Sequence, residues 1–175
     1  MYTSKKLREI CNKQYDDYYG FLYIMSSLKH DNVYKIGYTH NLNQRIQELK
    51  SSQAIDKCLY NCKTRYVKRS EAIVKHLLHP YNIGYYHTTM HREWFLCPNK
   101  YLKQIMMQIV HLTNKYDKKN KKILYHKITE NKKIINLQMK CKYNQRYILT
   151  SRKFNLYAFQ KLCNKHGYKI VKKNN

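Results

Sequence analysis

Two short segments near the start of the chain combine apolar, aromatic and β-branched residues in a strand-like pattern. The first is GFLYIMSS (20–27) and the second is VYKIGYT (33–39), and the polar stretch LKHDN (28–32) separates them. Two such segments joined by a short turn are typical of a β-hairpin. We therefore predict two antiparallel strands here.

Strand alternation sorts the hairpin residues between two faces. Successive side chains of a strand point to opposite faces, and residues two apart share a face. If Ile24 and Ile36 are buried on one face, then Tyr23, Lys35 and Gly37 share the other. A glycine inside a strand often marks the close approach of another group. We expect Gly37 to leave room for a substrate phosphate beside Tyr23.

Apolar residues at helical spacing follow the hairpin. The predicted helices are 42–51, Ser70 (as N-cap) to Pro80 (as stop), and 98–116. A third strand is predicted over 58–67, and a loop with one or two short extended pieces over 82–97. Residues 4–19 offer little apolar face, so we expect at most a short polar helix as a lead-in.

The composition predicts a folded chain with a strongly basic surface. The chain has 175 residues, of which 43% are hydrophobic and 14% aromatic, enough to build the core of one main domain. Its 35 Lys and Arg against 10 Asp and Glu give a formal net charge of +25, which attracts polyanions such as nucleic acids and anionic membranes. The 19 tyrosines suit base stacking, although an A/T-rich genome also produces many tyrosines and lysines.

The charge is distributed unevenly along the chain. Residues 1–115 hold 18 Lys or Arg and 8 Asp or Glu, whereas residues 116–175 hold 17 and 2. The lysine-rich stretch DKKNKK at this border is typical of a linker. We predict a lead-in segment over 1–19, a main domain over 20–115, and a basic, partly folded C-terminal extension over 116–175 that clamps DNA.

The six cysteines lack the paired spacing of a small secreted scaffold. They are Cys11, Cys58, Cys62, Cys97, Cys141 and Cys163. Without an apolar signal-type segment before them, we expect reduced thiols in an intracellular protein. A zinc site on Cys58 and Cys62 is an alternative, but residues four apart on one strand face lie about 13 Å apart, too far for one tetrahedral ion. No apolar run reaches the roughly 18 residues of a membrane-spanning helix, so no membrane partner is expected.

Five short motifs resemble those of a known nuclease family. In chain order they are FLYI, KIG-T, NLNQRIQEL, SEAIVKHLL and REWF. Together, over about residues 20–97, they resemble the GIY-YIG nuclease superfamily, and most of all its branch from phages, large DNA viruses and fungi. That branch is usually described as a DNA-binding domain, and K-I-G commonly replaces Y-I-G in it. The resemblance implies an α+β fold with a small three-stranded antiparallel sheet flanked by helices.

The resemblance also implies a site for phosphodiester hydrolysis. Tyr23 matches the tyrosine of the first motif, a general base or water-orienting group, and Lys35 stands where most members have a second tyrosine. Arg45 matches the arginine that contacts the scissile phosphate, and Glu71 matches the glutamate that holds one Mg²⁺ or Mn²⁺ ion. Further substrate contacts are expected from Tyr34, Gly37, Tyr38, Thr39 and His76.

Physical chemistry is consistent with these roles. A phenol titrates near about 10, so Tyr23 needs a neighbouring cation to act as a base at neutral pH, and Lys35 on the same face can supply it. The guanidinium fork of Arg45 fits phosphate oxygens, and Glu71 can hold a hard ion whose other ligands are mostly water. Structural alternatives exist: Arg45 has ion-pair spacing to Glu48, and a carboxylate near a Ser cap is favourable at any helix start.

The chain departs from the family pattern at two points. In the first motif either one residue is added between Gly20 and Tyr23, or Phe21 takes the place of the family's glycine. Branch members often have a histidine four residues after the glutamate; here Lys75 takes that place, and His76 lies roughly 100° further around the helix. In the closing motif we expect Glu93 and the tryptophan after it to serve structure more than chemistry.

The leading hypothesis is a divalent-metal-dependent DNA endonuclease, and the alternative is a catalytically inactive, sequence-tolerant DNA-binding protein on the same fold. A third possibility is a basic protein associated with RNA or membranes, and the lack of a basic amphipathic helix with Trp or Phe on its apolar face argues against the membrane version. The expected partner is double-stranded DNA, and no obligate protein partner is evident. The A/T-type composition together with the resemblance to this branch suggests a large DNA virus or a mobile element as the source; a viral protein would act in the host cytoplasm or nucleus.

Overall fold

The computed structural model describes residues 4–15, 19–28, 31–52, 55–82, 85–86, 89–90, 93–116 and 121–138. The helices are α1 (Ser4–Asn12), α2 (Leu42–Ser52), α3 (Val67–Leu78), α4 (Asn99–Tyr116) and α5 (Lys121–Thr129). A 3₁₀ turn (His79–Tyr81) follows α3, and residues 132–138 are also helical. The strands are β1 (Gly20–Ser27), β2 (Val33–Thr39), β3 (Ile55–Thr64), β4 (Tyr85–Tyr86), β5 (Thr89–Met90) and β6 (Trp94–Leu96).

The described residues form an antiparallel sheet in the order β3-β1-β2-β6, and β4 pairs separately with β5. The predicted hairpin is confirmed, with Ile24 opposite Ile36 and Tyr23 opposite Gly37. The α+β class and the flanking helices are also confirmed. The main sheet has four strands rather than three in this part of the chain, because β6 pairs with the free edge of β2.

Both faces of the main sheet are buried. On one face, Leu22, Ile24 and Ile36 pack against the apolar sides of α1, α3, α4 and α5. On the other face, Tyr23 and Met25 pack with a second group of apolar residues: Val33, Leu49, Ile55, Trp94 and Leu96. We call these the helix-side core and the α2-side core. The alternation of faces was predicted correctly. The expected open space beside Tyr23 is not present, because this residue is only 1% exposed.

Helix α3 begins about one turn earlier than the sequence predicts. Ser70 was predicted as the N-cap, which is wrong, because α3 starts at Val67 after Tyr66. Val67 is buried, and a Cβ placed on Gly20 would come within 2.9 Å of Val67 Cγ1. Burial of Val67 against β1 therefore adds a first turn. Ser70 lies inside the helix, where its hydroxyl is 2.8 Å from Thr113 Oγ1.

The cysteines differ from expectation in two respects. Cys58 packs on the α2-side core and Cys62 on the helix-side core, because register irregularities interrupt the pairing of β3 with β1. The prediction that they share one face is therefore wrong. Cys97 is disulfide-bonded, so the expectation of reduced thiols fails for it. Cys11, Cys58 and Cys62 are free thiols.

The residues after α4 pack into the helix-side core. Their buried side chains are Leu124, Tyr125, Ile128, Ile134 and Leu137. Gln138 fixes the end of this segment. Its side-chain Nε2 donates to the backbone carbonyl of Leu77 (2.8 Å), and its backbone carbonyl accepts from the Tyr81 hydroxyl (2.5 Å). The proposed boundary at residue 115 and the DNA clamp over 116–175 stay predictions, and most of that extension lies outside the described residues. No helix in the described ranges is long and apolar enough to cross a membrane.

Candidate functional site

The ring of Tyr23 occupies the space that Gly37 leaves open. The two residues are direct partners across β1 and β2. A Cβ on Gly37 would lie 2.5 Å from Tyr23 Oη and 2.7 Å from Cζ, closer than real atoms approach. The space at Gly37 is therefore filled by the Tyr23 phenol. The prediction that it leaves room for a phosphate is wrong for this structure.

Arg45 is the cation next to the Tyr23 phenol. Its Nε lies 3.5 Å from Tyr23 Oη, and its Nη1 donates to Glu48 Oε2 at 2.9 Å. The start of α2 places it there: Asn41 Oδ1 caps the helix by accepting from Gln44 N at 3.2 Å. The Arg45 side chain is 36% exposed, so it is accessible while the phenol beneath it is not.

Tyr23 is held in its protonated form. Burial raises the pKa of its phenol, and the hydrogen bond and charge of Arg45 oppose that rise only in part. The expected activating cation, Lys35, has a carboxylate partner of its own. The structure thus assigns the position beside Tyr23 to Arg45.

Four alternating charges form a chain of ion pairs, which we call the ion-pair network: Lys35, Glu93, Lys75 and Glu71. Lys35 Nζ lies 2.5 Å from Glu93 Oε2, and Lys75 Nζ lies 2.7 Å from Glu93 Oε1 and 2.6 Å from Glu71 Oε1. The four formal charges cancel. An internally neutral network can lie in the protein interior, where a single charge could not.

Strand and helix geometry hold the ion-pair network in place. Lys35 is opposite Trp94 in the pairing of β2 with β6, and its Nζ is 5.8 Å from the centre of the Trp94 ring. The carbonyl of Glu93 accepts from the backbone N–H of Ile36 at 2.9 Å, which fixes Glu93 beside β2. Glu71 and Lys75 are one turn apart on α3.

Burial and ion pairing shift the pKa values of the network in different directions. Burial lowers the pKa of Lys35, with Glu93 opposing, and burial raises the pKa of Glu71 although Lys75 opposes it. Burial also acts to raise the pKa of Glu93, but the ammonium groups of Lys75 and Lys35 outweigh it and hold that pKa at about 2. Burial works against the charge of Lys75, yet its two carboxylate partners raise its pKa overall.

The structure brings together the four residues predicted to be catalytic. Tyr23 contacts Arg45 and shares a face of the hairpin with Lys35. Lys35 is linked to Glu71 through Glu93 and Lys75. Residues from β1, β2, α2 and α3 therefore converge on one region. The network members that were not predicted from the sequence as site residues are Lys75 and Glu93.

The predicted substrate contacts lie elsewhere, apart from Gly37. Tyr34 and Tyr38 pack on the helix-side core, on the opposite face of β2 from Lys35. Thr39 Oγ1 donates to the carbonyl of Asn41 at 3.1 Å and thereby joins β2 to α2. His76 lies near His79 and Lys6, and burial together with these neighbours lowers its pKa. Substrate binding by these four residues stays a prediction that the geometry does not support.

The carboxylates of Glu71 and Glu93 share one cation. Glu71 Oε1 and Glu93 Oε1 both contact Lys75 Nζ, so the ammonium group marks a cation-sized position between them. Carboxylate oxygens are the ligands that Mg²⁺ and Mn²⁺ prefer. The described residues contain no group of three or more His, Cys, Asp or Glu able to hold a metal. An ion held by Glu71 and water is a different kind of site, and it stays a prediction.

A family comparison covers this whole region. The sequence model of the T5orf172 domain matches residues 20–110. The chain belongs to the T5orf172 domain family. The part that matches this domain runs from β1 into α4 and contains Tyr23, Arg45 and the complete ion-pair network. Helices α1 and α5 lie outside the T5orf172 match but pack on its helix-side core. No curated protein and no solved structure matches the chain.

Proposed function

We propose that this T5orf172 protein is a DNA endonuclease of the GIY-YIG type, which hydrolyses phosphodiester bonds at the site formed by Tyr23, Lys35, Arg45 and Glu71. The observation that carries the proposal is that Tyr23 and Arg45 are in contact and that Tyr23 shares a strand face with Lys35 of the ion-pair network, although these residues come from segments far apart in the sequence. The T5orf172 domain is a phage-associated domain related to nucleases of the GIY-YIG and HNH types. Clusters of buried charges with shifted pKa values favour a functional site.

Arg45 is the residue that meets the DNA phosphate. Its side chain is 36% exposed, and its present partner is the 45% exposed Glu48, one helical turn away. Exposed ion pairs of this kind contribute little stability, so a phosphate can replace the carboxylate at small cost. The planar guanidinium then holds two phosphate oxygens and stabilises negative charge that builds up during hydrolysis.

Tyr23 orients the attacking water or a phosphate oxygen once Arg45 moves to the DNA phosphate, because its hydroxyl is buried beneath Arg45 in the DNA-free protein. Its raised pKa means that the phenol carries a proton in the DNA-free protein, so it acts first as a hydrogen-bond donor. Abstracting a proton from water requires a lower pKa, which additional positive charge near Oη would produce. Lys35 contributes by holding Glu93, and so Lys75 and Glu71, at fixed positions.

One Mg²⁺ or Mn²⁺ ion, with Glu71 as its protein ligand, is part of the proposal. When bound, it would supply positive charge that polarises the phosphodiester. The basic chain as a whole, with its net charge of +25, attracts double-stranded DNA. Such an activity belongs inside a cell, and in a viral setting in the host cytoplasm or nucleus.

A DNA-binding protein without cleavage activity is the second candidate function. It is favoured by a specific observation: every charged group of the ion-pair network already has a partner within the network. The buried phenol of Tyr23, with its raised pKa, favours it as well. In that case Arg45 and the basic surface hold DNA, and the network is a structural element.

Cleavage of supercoiled plasmid separates the two functions. The wild type, Glu71→Gln and the control Glu9→Gln are incubated with plasmid in Mg²⁺ or Mn²⁺ and in EDTA. Glu9 is an exposed glutamate paired with Lys6 on α1, so its substitution removes the same charge outside the ion-pair network. The endonuclease predicts nicking by wild type and Glu9→Gln only, and only with metal. Equal nicking by wild type and Glu71→Gln, or none by either, rejects it.

A further inference from the structure

Lys75 occupies a position that a metal ion would need. Its Nζ lies 2.6 Å from Glu71 Oε1 and 2.7 Å from Glu93 Oε1. These distances place the ammonium group between the two carboxylates, and the side chains of Lys75 and Glu71 are only 21% and 14% exposed. The site therefore contains a cation that is part of the chain.

A charged Lys75 would repel a divalent ion bound to Glu71. An ion bound to Glu71 at the usual distance of about 2.1 Å would lie within a few ångströms of the ammonium group. Repulsion between cations at such a separation is strong where little water intervenes. The ammonium group of Lys75 already forms ion pairs with both Glu71 and Glu93, the carboxylates that an ion at this position would contact. The metal and Lys75 thus compete for the same oxygens.

We propose that Lys75 is a built-in competitor of the divalent ion, which keeps metal affinity low in the DNA-free protein. A phosphate of bound DNA offers Lys75 another anionic partner, so DNA binding draws the ammonium away and opens Glu71 to the ion. Metal loading is thereby coupled to substrate binding. This inference rests on the proposed function, because that function makes Glu71 the metal ligand.

Mn²⁺ binding to the full-length protein without DNA tests the competition directly. Free Mn²⁺ is followed by electron paramagnetic resonance during titration of the wild type, Lys75→Met, Lys75→Arg and Lys6→Met. Lys6→Met is a matched control, because Lys6 also pairs with a glutamate (3.1 Å to Glu9), on the exposed side of α1. We expect Lys75→Met to bind Mn²⁺ at least about tenfold more tightly than the wild type. Lys75→Arg and Lys6→Met should bind it as weakly as the wild type.

Two results would overturn the inference. One is equal Mn²⁺ affinity in the wild type and Lys75→Met, or the same gain in Lys6→Met. The other is tight binding by the wild type that Glu71→Gln abolishes, and this comparison remains decisive if Lys75→Met does not fold. Adding Glu71→Gln to Lys75→Met should remove the gain in affinity.

The readout keeps this inference separate from the endonuclease proposal. Metal occupancy is measured without DNA, so a protein that never cleaves can still show the gain in Lys75→Met. A protein that cleaves plasmid but shows no gain contradicts the competition alone.

Discussion

The phenol ring of Tyr23 lies directly over Gly37, its partner across the hairpin. A side chain at position 37 would meet the ring, since a Cβ there would be 2.5 Å from Tyr23 Oη. The glycine in the KIG motif is therefore a steric requirement of the tyrosine in the FLYI motif. Two sequence motifs of the resemblance are explained by one contact.

Gly37→Ala should destabilise the protein by about 1–3 kcal/mol, because the added methyl group forces the buried ring to move. The free energy of unfolding from urea titration measures this cost. In a Tyr23→Val background the obstructing ring is gone, so the same Gly37→Ala change should be neutral or slightly stabilising in a strand. Additive effects of the two substitutions would show that the contact does not limit position 37.

Glu93 should make stability depend on acid pH. Its folded pKa of about 2 is below the ordinary value of 4.5, so its stabilising contribution is present above about pH 5 and is lost as pH falls toward 2. Glu71 acts in the opposite sense, since its raised pKa favours its protonated form in the folded state. The comparison of wild type with Glu93→Gln isolates Glu93.

We expect the stability of the wild type to fall more steeply between pH 5 and pH 2 than that of Glu93→Gln, in urea titrations at several pH values. Both proteins keep Glu71, so its opposite contribution is largely common to them. Parallel curves for the two proteins would mean that Lys35 and Lys75 do not stabilise the Glu93 carboxylate.

Arg45→Ala should weaken binding to duplex DNA. It should also make the slope of log K against log[salt] less steep by about one, the effect of losing one phosphate contact. Glu48→Gln should have the opposite effect on affinity, because it removes the carboxylate that competes with phosphate for Arg45. Fluorescence anisotropy with labelled duplex at several salt concentrations measures both. Arg8→Ala is the control, since Arg8 lies over Tyr125, away from the site. The phosphate-binding role of Arg45 fails if Arg45→Ala and Arg8→Ala behave alike.

Helix α5 should be part of the stable domain rather than a separable extension. Ile128 is 1% exposed in the helix-side core, and Ile128→Ala should cost about 2–5 kcal/mol. Ile123 on the same helix is 39% exposed, so Ile123→Ala should change stability by no more than about 0.5 kcal/mol. Thermal or urea unfolding of the two variants gives the comparison. Small effects of both would place α5 outside the cooperative unit.

Local periodicity in the sequence predicted much of the fold. The period of two along β1 and β2 placed Ile24 and Ile36 on one face and Tyr23 and Lys35 on the other, as the register shows. Helical spacing predicted α4 and the apolar side of α2, where Leu49 is buried. Such patterns depend only on neighbouring residues, so one sequence is enough to detect them.

Pairing between distant segments was decided by the tertiary structure. Lys35 and Glu93 are 58 positions apart, and no local pattern indicates that they meet. The spacing of Glu71 and Lys75 on α3 allows an ion pair. Lys75 lies between two carboxylates only because the fold also places Glu93 next to it. The sequence by itself determined which residues share a strand or helix face, because backbone geometry repeats at fixed intervals. The packing of β6 and α3 against β2 decided which charges neutralise each other, because that depends on distances in space.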